Sequence, residues 1–147
     1  NGARMNAFKK SFGCNAVRGL EKIEQVVLSK SRNSVVLKCA NSQEFVIPAE
    51  LLRAFSPAAN SASAAFKKSS NAQGYVAPAG KSSVQIYRAT PVGNYGVQLW
   101  FDDLHSDGIF TWPFLLDLAK QKRLYMRKYI SALRAQNQSR HRRRSKR

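Results

Sequence analysis

Cysteine is nearly absent from these 147 residues: Cys14 and Cys39 are the only two. Two thiols supply neither a disulfide framework nor a four-thiolate metal site. Cys39 sits in a β-branched run and reads as a small core residue, and the chain fits a reducing compartment. No apolar run approaches the roughly 18 residues that a membrane span needs. There is no G-x-x-x-x-G-K-[ST] phosphate loop, no H-x-D facial-triad segment and no cysteine-rich cluster motif, so nucleotide hydrolysis, non-haem iron oxygenation and cluster ligation have no visible machinery. Histidine occurs twice. His141 belongs to an arginine run. His105 lies near Asp102, Asp103 and Asp107, which on paper is a base beside carboxylates, but a polar hairpin turn accounts for the cluster. No catalytic residue, metal or cofactor is expected, and the chain reads as non-enzymatic.

Acid is the other scarce commodity, with eight Asp and Glu against 25 Lys and Arg and a formal charge of +17. The distribution matters more than the total. Residues 19–119 hold nine bases and all eight acids, a net of +1. Residues 1–18 add four bases and residues 120–147 add twelve, with no acid in either. A neutral body with cationic ends points to a polyanionic partner, because clustered Lys and Arg release counterions from a phosphate backbone.

Apolar content of 44% is ordinary for a globular protein, and the length fits one domain with a core of its own. Three regions follow: a basic N-terminal arm (1–18), a body (19–119) with a loop or insertion at 56–83 rich in Ala, Ser, Asn, Gly, Pro and Lys, and a basic helix extension and tail (120–147). In the arm, Met5, Phe8 and Phe12 lie at helical spacing among Arg4, Lys9 and Lys10. Such an acid-free segment reads as the remnant of a mitochondrial targeting sequence or as an RNA-contacting arm. The first residue, Asn1, agrees with a cleaved precursor, though a shortened chain would read the same.

The body reads as short strands: Val26–Leu28, Val35–Cys39, Phe45–Ile47, Val84–Ala89, Tyr95–Phe101 and Ile109–Thr111. Pro48 opens a short helix, Ala49–Phe55, with Glu50 in the favoured first turn. Thr111-Trp112-Pro113 starts a second helix, along which Leu115, Ala119, Met126, Ile130 and Leu133 keep to one face. No breaker precedes Asn137, so this helix is expected to run some 20 residues. Residues 136–147 have no aliphatic or aromatic anchor and are expected not to fold alone. The fold class is therefore α+β, a small mostly antiparallel sheet with a short helix, a long C-terminal helix and basic extensions.

Candidate RNA contacts are Lys9 and Lys10 in the arm, and Lys122, Arg123, Arg127, Lys128, Arg134, Arg140, Arg142, Arg143, Arg144, Lys146 and Arg147 beyond the body. Tyr125 and Tyr129, one helical turn apart among these cations, are candidate base-stacking residues, with a protein contact as the other reading. Tyr95, Trp100, Phe101, Phe110, Trp112 and Phe114 read as core.

Two stretches carry a family resemblance. One is Phe45-Val-Ile-Pro-Ala-Glu-Leu-Leu-Arg53 followed by Ser56-Pro57. The other is Pro91-Val-Gly-Asn-Tyr95, then Trp100-Phe-Asp-Asp-Leu-His-Ser-Asp-Gly-Ile-Phe-Thr-Trp112. Over about Ile23 to Leu118 the chain resembles the N-terminal-domain-like family of γ-butyrobetaine hydroxylase. That family comprises accessory domains of the oxygenase, extensions of some iron–sulfur carrier ATPases, and small stand-alone proteins. The resemblance implies a compact, mostly antiparallel α+β fold. In the hydroxylase branch the domain holds zinc through a C-x-C-x2-C segment after the Leu-Arg pair and a later histidine. The matching positions here are Ser56, Ala58, Ser61 and His105, so no zinc is expected. The turn also departs from the family's Asp-Gly-His: Leu104 replaces the glycine, and a left-handed backbone is not expected there.

These readings converge on an RNA-binding, non-catalytic part of a large ribonucleoprotein, with a mitochondrial ribosome first in line. Both basic arms would contact ribosomal RNA, the body would contact neighbouring proteins, and no membrane is involved. Family analogy offers a different expectation, an accessory factor for iron–sulfur or metal-cofactor assembly. The C-terminal basic run offers a third, a nuclear or nucleolar nucleic-acid-binding protein.

Overall fold

The computed structural model describes residues 7–9, 23–57, 76–106 and 108–141. The expected loop at 56–83 is thus described only at its two ends, and Cys14 and Lys10 lie outside the described residues.

Among the described residues, seven strands and three helices make an α+β fold. The strands are β1 (Ala7–Lys9), β2 (Ile23–Leu28), β3 (Ser34–Cys39), β4 (Glu44–Pro48), β5 (Ile86–Val92), β6 (Gly96–Phe101) and β7 (Ile109–Thr111). The helices are α1 (Ala49–Ala54), α2 (Trp112–Lys120) and α3 (Lys122–Ala135). The strands form two antiparallel sheets where one was expected, in the orders β1-β2-β3-β4 and β5-β6-β7. Within each sheet, sequence-neighbouring strands pair, as hairpin connections favour.

Local chemistry sets the first sheet. On β3, Val35, Leu37 and Cys39 point inward in strict alternation, and β2 buries Ile23, Val26 and Leu28 across a bulge between Ile23 and Gln25. The bulge explains why the buried set on β2 skips from Ile23 to Val26: an extra residue shifts the side-chain alternation by one. The polar link 29–33 closes on itself, with Ser34 N donating to Ser29 Oγ at 3.2 Å and Arg32 N to Ser29 O at 2.9 Å. Part of the basic N-terminal arm is described. Its backbone at Ala7–Lys9 pairs with β2, Phe8 opposite Val26 and Lys9 opposite Gln25.

The expected long C-terminal helix is two helices. Gln121 has φ −104° and ψ 23°, which interrupts the helix between α2 and α3. The interruption lets α2 lie on β4 and β7 while α3 packs on α1. A single straight helix would send its second half off the body, and burial of both faces wins over uninterrupted helical hydrogen bonding. The core gathers Trp112, Phe101, Phe110, Leu51, Leu52, Ile47 and Tyr129, all essentially inaccessible. Trp112 also satisfies its indole N–H, donating to Asn94 O at 3.0 Å. Among the aromatics read as core, Tyr95 is an exception: it is 53% exposed, in the β5–β6 turn. Trp100 lies partly open, with the Arg88 guanidinium 5.1 Å above its ring.

Candidate nucleic-acid interface and the polar clusters beside it

Helix α3 carries five bases, all of them exposed, and three of these form an ordered row. Arg123, Arg127 and Arg134 are all exposed, and at 3.6 residues per turn they fall within about 40° of one another, along about 16 Å of axis. None of the three has an ion-pair partner among the described residues, and α3 itself contains no acid. The opposite face holds Tyr129, Ala132 and Leu133 in the interior. Lys122 and Lys128 are exposed too. Lys122 Nζ reaches Val46 O at 3.4 Å, and Lys128 Nζ sits 5.9 Å from the Tyr125 ring centre.

The two tyrosines do not stand out as a stacking platform. Tyr129 is fully buried, and its hydroxyl donates to Pro78 O at 2.8 Å. Burial first, and then the nearby Glu50 charge, push its pKa up to about 12. Tyr125 is half-buried, with its ring edge-on to Phe55 at 5.0 Å and its hydroxyl donating to Asp117. Burial and that carboxylate hold the Tyr125 hydroxyl well above the usual tyrosine range. Base stacking by Tyr129 is therefore ruled out in this fold, for a physical reason: the ring fills the space between α1 and the chain at Pro78.

Arg140 is not a free tail cation either. Asn137 takes φ 52° just past α3, Asn137 N donates to Arg134 O at 3.0 Å and Gln138 N to Leu133 O at 2.8 Å. This is the reversing cap in which a left-handed residue, Gly or Asn, satisfies the last carbonyls. It folds the chain back onto the body. Gly80 N then donates to Ser139 O at 2.9 Å and Ser82 N to Arg140 O at 3.0 Å. The guanidinium of Arg140 forks onto Glu50, Nε to Oε1 at 2.8 Å and Nη2 to Oε2 at 2.6 Å. The Glu50 side chain is 7% exposed and that of Arg140 39%. Hydrogen bonding to Glu50 and its charge raise the Arg140 pKa despite partial burial. His141 Nδ1 and Ser82 Oγ share a further hydrogen bond of 3.1 Å. Residues 136–141 are thus part of the folded domain, contrary to the expectation from their polar composition: backbone pairing and one ion pair to a buried carboxylate replace apolar anchors. Arg142, Arg143, Arg144, Lys146 and Arg147 lie outside the described residues. Lys9 is described only through its backbone pairing in β1.

A second polar cluster surrounds the turn after β6. Asp103 accepts from Arg53 Nε at 2.8 Å and from Lys81 Nζ. Burial alone would push the Asp103 carboxyl up, but the hydrogen bonds and charges of Lys81 and Arg53 outweigh it and hold it below the ordinary carboxylate range. Asp102 Oδ1 accepts from Gln85 N at 3.1 Å. Leu104 N donates to Phe101 O at 3.2 Å and Phe101 N to His105 O at 2.9 Å. So tied, the turn forces Leu104 to φ 65°, with its side chain 91% exposed. The left-handed backbone is used here after all, by a leucine, at a cost on the order of 1 kcal/mol.

His105 Nε2 and Ser56 Oγ share a hydrogen bond of 2.8 Å, and Ser56 is 1% exposed. Gly108 is required beside them: a Cβ there would lie 2.0 Å from Ser56 Oγ. The two positions that the resemblance linked to zinc are thus neighbours in space. Their donors do not fit a structural zinc site, which takes thiolate and imidazole ligands. One is a neutral hydroxyl, and the other is an imidazole whose Nε2 is already engaged. Ala58, whose side chain offers no donor, and Ser61 lie outside the described residues.

Fold and site together define a small α+β domain with a serine–histidine pair behind its polar turn and an arginine row on its last helix. Residues 26–116 match the family described as gamma-butyrobetaine hydroxylase-like, N-terminal. The chain belongs to that family. Two solution NMR structures are similar to it over most of its length. One is 29% identical with a TM-score of 0.67, covering 86% of this chain and 95% of its own. The other is 32% identical with a TM-score of 0.64, covering 87% and 91%. A crystal structure from Acidithiobacillus ferrooxidans, of a DUF971-family protein of unknown function, is 28% identical over 64% of this chain and 88% of its own, with a TM-score of 0.49. No curated protein matches the chain.

Proposed function

We propose that this chain is a non-catalytic RNA-binding protein, a structural component of a large ribonucleoprotein, with the mitochondrial ribosome as the first particle to test and the nucleus as the alternative location. One observation carries the reading: Arg123, Arg127 and Arg134 form a row on the exposed, acid-free side of α3, with no ion-pair partner among the described residues. Three of the described acids form ion pairs elsewhere in the fold, Glu50 with Arg140, Asp103 with Arg53 and Lys81, and Glu44 with Lys38. A row of unneutralised guanidinium groups costs self-repulsion in the free protein, and phosphate relieves it through paired N–H donors. The charge of residues 142–147, five bases and no acid, extends the same attraction beyond the described fold. A binding role rather than catalysis agrees with Ser56, whose hydroxyl is closed to a substrate at 1% exposure.

The test is binding of the purified chain to a structured RNA, followed by fluorescence anisotropy from low to high salt. The reading expects log K to fall linearly with log salt, at about 0.9 units per phosphate contacted on a duplex. Absence of binding at low salt, or binding indifferent to salt, contradicts it.

A further inference from the structure

We infer that the α3 surface is built for a double-helical RNA, gripped by its phosphates, and not for an unpaired strand read by its bases. The inference rests on the RNA-binding reading and narrows its ligand.

Proteins that hold single strands combine cations with aromatic rings on which successive bases stack. The basic C-terminal region, residues 120–147, has only two aromatic rings apart from His141, those of Tyr125 and Tyr129. Neither is a free ring: one is enclosed in the core and the other half-buried against it. Tyr129 is 0% exposed and tied to Pro78 O. Tyr125 is wedged edge-on against Phe55, with its hydroxyl on Asp117. The imidazole of His141 shares its Nδ1 with Ser82. Among the described residues the exposed tyrosines are Tyr87 and Tyr95, on the β5–β6 hairpin and not on α3. Among the described residues, the cationic surface is left with charge and no fully exposed tyrosine ring.

The charge is also fixed in shape. Arg123, Arg127 and Arg134 are held by one helix, at axial steps of about 6 Å and about 10 Å. A flexible strand would have to be straightened to follow such a row, at an entropic cost. A duplex already presents rigid lines of phosphate at twice the charge density of a strand, one charge per about 1.7 Å of axis in the B-form. Double-stranded RNA is recognised largely through shape and phosphate contacts, without reading its deep major groove. The α3 row offers what that mode needs and lacks what the single-strand mode needs.

The experiment compares three probes of equal length: a 20-base-pair RNA duplex of arbitrary sequence, its unpaired component strand, and poly(U). Each is titrated with the full chain and with R123A/R127A/R134A. The expected result is tighter binding of the duplex than of either single strand, and equal binding to a second duplex of unrelated sequence. The triple variant should lose about a hundredfold in duplex affinity near 0.15 M salt, as three phosphate contacts at about 0.9 log units of slope imply. Single strands bound as tightly as the duplex, or an aromatic-dependent preference for them reported by Tyr125→Ala, overturn the inference while leaving RNA binding standing. Failure of all three probes overturns the RNA-binding reading itself.

Discussion

Arg140 and Arg134 stand six residues apart in one basic stretch, yet the fold gives them opposite fates. Arg140 is folded back by the Asn137 cap and spends its charge on buried Glu50. Arg134 stays on the exposed side of α3, in line with Arg123 and Arg127 and without an ion pair among the described residues. The two teach that net charge overstates what a basic segment offers a polyanion. A cation that neutralises a buried carboxylate stabilises the fold, and one that has no such partner is available to phosphate.

The comparison breaks first at the clasp that Arg140 makes with Glu50. Arg140→Ala should cost about 2–3 kcal/mol in urea unfolding, since it strands a buried carboxylate; the figure is reduced from the usual 3–5 because the guanidinium is partly exposed. Glu50→Leu combined with Arg140→Leu should recover much of that loss, because no unpaired charge remains. An Arg140→Ala variant as stable as the parent would place Arg140 with the free cations.

Tyr129, beside the clasp, gives the next largest effect. Tyr129→Phe should cost about 1 kcal/mol through the lost hydrogen bond to Pro78 O. It should also change the alkaline limb of stability. The folded hydroxyl titrates at about 12, above the ordinary value near 10. Its contribution is therefore complete below about pH 10 and is lost as pH rises towards 12, because the unfolded chain gives up the proton first. Unfolding free energies of parent and Tyr129→Phe should converge over that window. Parallel curves contradict the assignment.

Leu104→Gly should raise stability, by up to about 1 kcal/mol, since glycine takes the left-handed backbone without penalty. The smallest effect belongs to the other side of the comparison. R123A/R127A/R134A removes exposed side chains that hold nothing internal, and should stay within about 0.5 kcal/mol of the parent. A larger loss would mean that the row is structural, like Arg140.

The sequence makes the strand content and the fold class readable, since β-branched runs and polar turns are local signals. Val35, Leu37 and Cys39 alternate in the chain as they do in the structure. It also makes the exposed cations of α3 readable, since helical periodicity needs only nearby residues. What it hides is long-range. Glu50 and Arg140 lie 90 residues apart, and nothing in either neighbourhood marks them as a pair. The break at Gln121 has no glycine or proline to announce it, because packing on β4, β7 and α1 imposes it. The turn around Leu104 overrides the local preference of leucine through hydrogen bonds at both of its ends. The burial of Tyr129 is legible in part: it precedes Leu133 by one helical turn, on the same side as the buried Ala132, and that spacing points inward.

The most direct test is the salt dependence of RNA-duplex affinity in two variants measured side by side, R123A/R127A/R134A and E50L/R140L. The account predicts that the first flattens the slope of log K against log salt by about two to three units, while the second leaves it within error of the parent. The reverse, a slope unchanged by loss of the α3 row and flattened by loss of the clasp, would contradict the division of labour between them.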